Sequence, residues 1–143
     1  MRSVIGELGS DAGDVTIIDL EASIEHLSRG TIRHVDALLV VTEPYYRSLE
    51  TAGRTIPLAV DLGIERISVV GNKVRTEREE AAIREYCARQ GFDLRAIVPF
   101  DENVTEADLQ GRALIDVAPG APAVRAIEEL ASDVLSRLGG TLK

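Results

Sequence analysis

Residues Ile67–Gly91 read "ISVVGNKVRTEREEAAIREYCARQG". Ile67–Gly71 is almost continuously apolar and rich in Val and Ile, the pattern of a short strand buried on both faces. Thr76 follows, with Glu79 three residues later, the spacing of a capping box that opens a helix. Ala82, Ile83, Tyr86 and Cys87 then fall on one helical face, and Gly91 supplies the stop. The stretch therefore predicts a buried strand, a polar exit "GNKV", and a helix over Thr76–Gln90.

The same unit recurs outward in both directions. Val15–Leu20 ("VTIIDL"), Ala37–Thr42 ("ALLVVT") and Leu94–Val98 ("LRAIV") are further strand-length apolar runs. Ser48–Leu62 carries apolar residues close to a 3.6 period and ends at Gly63, with Pro57 expected to kink or split it. A shorter helix is expected over Thr105–Gly111. Ala121–Leu138 has Pro122 in its first turn, and Gly139-Gly140 after it. Its expected buried stripe is Val124, Ile127, Leu130, Ala131, Val134, Leu135 and Leu138. Alternating strands and helices predict an α/β fold, a partial parallel sheet of about four strands with flanking helices, in one domain over residues 1–143. No internal repeat, low-complexity segment or dividing linker interrupts it.

Composition narrows the function classes. A hydrophobic content of 45% supports a packed core, built from Leu, Ile, Val and Ala because aromatics are only 3%. The net charge of −8 and a pI near 4.8 argue against nucleic acid and against anionic membranes as partners. One cysteine, Cys87, allows neither an intrachain disulfide nor a Cys-rich metal site. The apolar runs are strand-sized, and the first residues lack a secretory pattern, so a cytoplasmic location is expected.

In open α/β sheets ligands bind beyond the carboxyl ends of the strands. Those exits read "DLEAS", "TEPYYRS", "NKVR" and "PFDENV". Asp19 and Glu21, two residues apart, point to one face if extended and could hold Mg²⁺ through water; an acidic cap on the next helix accounts for them equally simply. Asn72 offers a donor and an acceptor to a base edge, and the Lys73 stem can lie along a flat ring; alternatively Gly71-Asn72 is a turn. His26 and His34 have no convincing Ser or Cys nucleophile beside them.

Taken together, "DLEASIEHLSRGT", "VDALLVVTEPYYRSLETA", "LGIERISVVGNKVR", "VPFDENVTEAD" and "GRALIDVAPGAPAVRAI" resemble the second half of the MinD/ParA-type deviant Walker ATPases. Within that class the likeness is to the accessory ATPases that help insert nickel into carbon monoxide dehydrogenase. It covers Val15 to Leu138, five segments in order. The resemblance implies that Asp19, with Glu21 beside it, serves the Mg²⁺ shell and that Glu21–Gly30 is the second switch. It implies that Asn72 reads the adenine, that Pro99 and Asp101 pack on the other side of base and ribose, and that Glu43 and Pro44 lie near a dimer face. ATP and Mg²⁺ are the implied cofactors. The switch departs locally, with Ala22-Ser23 where Ala-Gly is usual.

A larger departure is the phosphate loop. The glycine-rich K-G-G-x-G-K-T segment does not occur in the 143 residues, nor does a Cys-x-Cys pair. Phosphate contacts supply most of the charge stabilisation in phosphoryl transfer, so these residues alone are expected not to hydrolyse ATP. In this class the phosphate-loop strand lies between the strands matching Val15–Leu20 and Ala37–Thr42. The expected outcomes are a homodimer, a partner supplying the N-terminal half, or direct closure of those two strands. A metalloenzyme client is a further implied partner. The competing function is a non-enzymatic dimerisation or regulatory module on the same fold. A flavodoxin-like receiver phosphorylated on Asp19 is a weaker third, because the surrounding residues do not form a receiver's acidic pocket.

Overall fold

The computed structural model describes residues 15–20 and 35–138. Three strands, β1 (Leu38–Thr42), β2 (Ile67–Val74) and β3 (Leu94–Pro99), form a parallel sheet in the order β1-β2-β3. Helix α1 (Tyr46–Asp61) joins β1 to β2, and α2 (Glu77–Gln90) joins β2 to β3. After β3 come α3 (Glu102–Leu109), the single turn α4 (Leu114–Val117) and α5 (Pro122–Leu138).

Alternation along β2 divides the core. Val69 and Val74 pack with Leu49 and Ile56 of α1 and Ile83 and Cys87 of α2. Val70 turns the other way, to Val98 and Ala123, with Leu130 of α5 against them. Ile83 and Val69 are almost fully buried, each contributing about 1.5–3 kcal/mol of transfer free energy. Gly71 allows α2 to come this close, because a Cβ there would sit 2.7 Å from Ile97 Cδ1 and 2.9 Å from Ile83 Cδ1. The capping box forms as its spacing predicts: Thr76 Oγ1 accepts the Glu79 N–H at 3.2 Å and Glu79 Oε2 accepts the Thr76 N–H at 3.2 Å. Gly91 closes α2 in the left-handed region, φ 71°.

Several expectations are corrected. Val15–Leu20 is not a strand; it lies outside the sheet with Ile17 89% exposed. A strand needs a ladder partner, and among the described residues none pairs with it. Among the described residues Val15–Leu20 does not close onto β1, and the sheet they form has three strands rather than about four. β1 is not buried on both faces either: Val40 and Thr42 are buried, whereas Leu39 and Val41 are exposed, Val41 by 60%. Helix α5 packs on β3 and does not cover that side of β1. Pro57 does not split α1, which runs through it with Leu49, Ala52, Ile56 and Ala59 all buried. Pro57 itself is exposed, where water can satisfy the backbone groups it leaves unpaired. The expected Thr105–Gly111 helix begins three residues earlier, at Glu102, because Asp101 caps it. The stripe of α5 forms for the most part: Val124 is buried and Leu130, Ala131, Val134 and Leu135 are half-buried, with Ala123 buried beside them, whereas Ile127 and Leu138 are exposed.

Candidate functional site

The carboxyl ends of the three strands bring separate sequence segments to one end of the sheet. At the exit of β1, buried Thr42 lies 3.0 Å from Ser48 through their hydroxyl oxygens, and the Glu43 N–H donates to Ser48 Oγ at 2.8 Å. The first turn of α1 thus fixes where Glu43 emerges.

At the exit of β2 the ladder is irregular. Gly71 pairs with Ile97 and Val74 with Pro99, so Asn72 and Lys73 stand opposite Val98 alone. This is a bulge, a device that re-aims side chains at a strand end. Lys73 takes a left-handed conformation, φ 56°, unusual for a residue with a Cβ. Asn72 Oδ1 accepts the Lys73 N–H at 2.9 Å, and Lys73 Nζ reaches Glu43 Oε1 at 3.0 Å. The pair is largely exposed and adds little stability, but it ties the second exit to the first. Gly71-Asn72 lies inside β2, not in a turn.

At the exit of β3, Pro99 is the last residue of the strand and Phe100 N–H donates to Val74 O at 2.8 Å. Asp101 is buried. Its Oδ1 accepts the N–H of Asn103 at 3.0 Å and the side-chain Nδ2 of Asn103 at 2.7 Å; its Oδ2 accepts the N–H of Ala123 at 3.1 Å. One carboxylate therefore serves the first turns of α3 and α5, where helix dipoles favour negative charge. The Ala123 amide, with the Asn103 side chain and amide, holds the Asp101 pKa below the usual carboxylate value, against the opposing effect of burial.

Asn72, Lys73, Pro99 and Asp101 are thus gathered at adjacent strand exits. Asp19 is exposed in the Val15–Leu20 stretch, and Glu21, the Ala22-Ser23 pair and both histidines fall outside the described residues. Among the described residues no group of three or more His, Cys, Asp or Glu could hold a metal ion. Cys87 is buried, and burial pushes its thiol pKa up, which leaves it unreactive. Among the described residues no helix is long and apolar enough to cross a membrane.

Sequence reasoning missed three contacts here: the Thr42–Ser48 pair, the Glu43–Lys73 pair, and Arg75, whose guanidinium carbon lies 3.4 Å from the centroid of the Phe100 ring. The last two join residues at least 25 apart in sequence, which no local pattern reveals. Two grooves lie elsewhere. One of about 290 Å³ is at the amino ends of the strands, lined by Leu39, Ser68 and Arg95 among others. The other, about 440 Å³, runs between α1 and α2 beside Tyr46 and Tyr86.

No protein-family model matches the chain. It is 39% identical over 114 residues to an uncharacterized ATP-binding protein of Methanocaldococcus jannaschii, covering 80% of this chain and 44% of that protein. Another ATP-binding protein of the same organism is 34% identical over 139 residues, covering 96% of this chain and 54% of the relative. The carbon monoxide dehydrogenase accessory protein CooC of Rhodospirillum rubrum is 37% identical over 119 residues, covering 83% of this chain and 44% of its own length. Among solved structures, a ParA family ATPase from Chlorobium tepidum superposes with a TM-score of 0.66 at 28% identity, over 76% of this chain and 46% of that one. MinD from Pyrococcus horikoshii, solved with Mg-ADP, gives 0.69 at 19% identity, over 96% and 56%. The chain spans about half the length of the curated relatives it matches. The chain is thus similar in sequence to ATP-binding proteins, CooC among them, and its parallel α/β sheet has the fold of the MinD/ParA-type ATPases.

Proposed function

We propose that this chain carries the adenine side of a MinD/ParA-type ATP site and does not hydrolyse ATP unless a phosphate loop is supplied to it. The observation that carries the reading is the bulge at the end of β2. It aims Asn72 and Lys73 beyond the sheet, beside the β3 exit with Pro99, in a chain whose relatives are ATP-binding proteins. Asn72 would read the base edge through its NH₂, which makes no hydrogen bond among the described residues, its oxygen being held by the Lys73 N–H. Pro99 would pack against the base. Asp101, with both oxygens engaged by the protein, would hold the loop that carries Pro99 in place. Mg²⁺ binding by Asp19 and Glu21, through water, belongs to the same reading.

The partner follows from the sheet. Among the described residues β1 has one strand neighbour and an exposed apolar flank at Leu39 and Val41, and the chain's relatives are about twice as long. A strand and helix supplied by an N-terminal half, or by a second copy, would cover it. Similarity to CooC supports a metalloenzyme as the client, in the cytoplasm.

The test is calorimetric titration of the chain with Mg-ADP to millimolar concentration. Weak binding is expected, reduced about tenfold by Asn72→Ala, the loss of one or two base-edge hydrogen bonds. ATP turnover should stay near the uncatalysed rate until a phosphate-loop half is added. No binding at millimolar nucleotide refutes a retained base site. The reading that competes is a non-enzymatic dimerisation module, favoured by the exposed β1 flank; it predicts an oligomeric state indifferent to ATP, Mg²⁺ and Asp19→Ala.

A further inference from the structure

The chain is acidic, and among the described residues three arginines bond carboxylates: Arg84 bonds Glu80, Arg95 bonds Asp93 and Asp133, and Arg137 bonds Asp133. Arg75 does not. Its own backbone N–H donates to Glu79 Oε2 at 2.6 Å, yet its guanidinium makes no ion pair or hydrogen bond among the described residues. It lies instead over the Phe100 ring, 3.4 Å from the centroid, the separation of a flat stack. Arg75 is exposed and Phe100 half-buried, so the ring faces the guanidinium from within and the other side of the guanidinium meets solvent.

The stack stands at the strand exits. Arg75 follows directly on Val74, the last residue of β2, and Phe100 follows on Pro99, the last of β3. The Phe100 N–H bonded to Val74 O holds the two exits in register. Phe100 is two residues beyond Val98, which packs in the core cluster on the α5 face, and Arg75 lies one residue past the end of β2, whose bulge carries Asn72. A planar cation with a free face and free edges therefore stands beside the bulge that carries Asn72.

We propose that Arg75, backed by Phe100, is the stacking wall for the purine ring of a nucleotide whose edge Asn72 reads. The inference rests on the nucleotide reading above and names the residue that positions the base. Every base has a π face, and a guanidinium stacks on it without needing a particular edge pattern. Phe100 fixes the guanidinium plane before the ligand arrives, so less side-chain freedom is lost on binding. Asn72 then supplies the discrimination that stacking lacks.

The experiment titrates the whole chain with adenosine and with ADP, for the wild type and for Arg75→Ala, Arg75→Lys and Phe100→Leu. Stacking predicts that Arg75→Ala weakens adenosine and ADP by the same factor, about tenfold. Arg75→Lys should recover little, because it restores the charge and not the plane, and Phe100→Leu should fall between. The capping bond uses the Arg75 backbone, so the Arg75 variants should melt with the wild type, and the unfolding curve of each variant checks that its loss is not one of folding. If Arg75→Ala weakens ADP alone, or Arg75→Lys restores full affinity, Arg75 is a phosphate contact and the stacking wall is overturned. Equal binding by wild type and Arg75→Ala overturns it while leaving the nucleotide reading standing. Failure of the wild type to bind either ligand overturns both.

Discussion

At the scale of single residues, Asp101 decides how the site end is held together. Its carboxylate accepts from the Asn103 N–H and from the Ala123 N–H, joining the first turns of two helices. Asp101→Ala should destabilise the chain by about 1–3 kcal/mol, the combined loss of a cap and a buried acceptor, measured by urea denaturation at pH 7. The pH dependence has a definite sign. The Ala123 amide lowers the folded-state pKa of Asp101 below the unfolded value, so the unfolded chain binds the proton more readily. The stabilisation is complete above the unfolded value, about 3.9, and is lost as pH falls through the lower folded value. Asp101→Asn should remove that part of the acid sensitivity; an unchanged acid limb between wild type and Asp101→Asn would refute the assignment. The sequence places Asp101 at a strand exit by its neighbours "VPFD" alone. The Ala123 amide lies 22 residues on, and no local pattern links them.

At the scale of elements, legibility follows the range of the forces involved. The capping box of α2 and its left-handed stop at Gly91 are written within three residues and one residue respectively, and both form. The strands of the sheet are equally plain, because burial demands apolar runs. Whether α1 runs on through Pro57, and that Ile127 and Leu138 of the α5 stripe stay exposed, are less legible, because both depend on what packs against the helix. Gly71 belongs with these. Its role as the gap into which Ile83 and Ile97 press is invisible in "VVGNK", where a glycine before asparagine suggests a turn. Gly71→Ala should overpack this contact and cost about 1–3 kcal/mol. Because Gly71 sits directly before the bulge, the shift should reach Asn72, so nucleotide affinity should fall alongside the melting temperature. Retention of both would show that Ile83 and Ile97 yield freely, and that the glycine is not required by packing.

At the scale of the whole molecule, the sheet is unfinished on one side. The apolar run at Val15–Leu20 reads as a strand, yet among the described residues it pairs with no strand and takes no place in the sheet. Among the described residues β1 is the outermost strand, with no strand on its outer edge and two exposed apolar side chains, Leu39 and Val41, on one face. Such an edge is a template for association unless something covers it. Relatives of about twice the length are built on the same fold class, which argues that the cover is a strand and helix lying outside the match. Without it the chain should self-associate, with sedimentation showing a weight-average mass that rises with concentration. Val41→Lys should suppress this at little cost to folding, because Val41 is already 60% exposed and a lysine there can keep its charge in water. Adding a phosphate-loop half should suppress it as well, and should do so less effectively for Val41→Lys, since the same flank serves both associations. A wild-type chain that stays monomeric at high concentration and ignores the added half would mean that the β1 flank is not an interface at all.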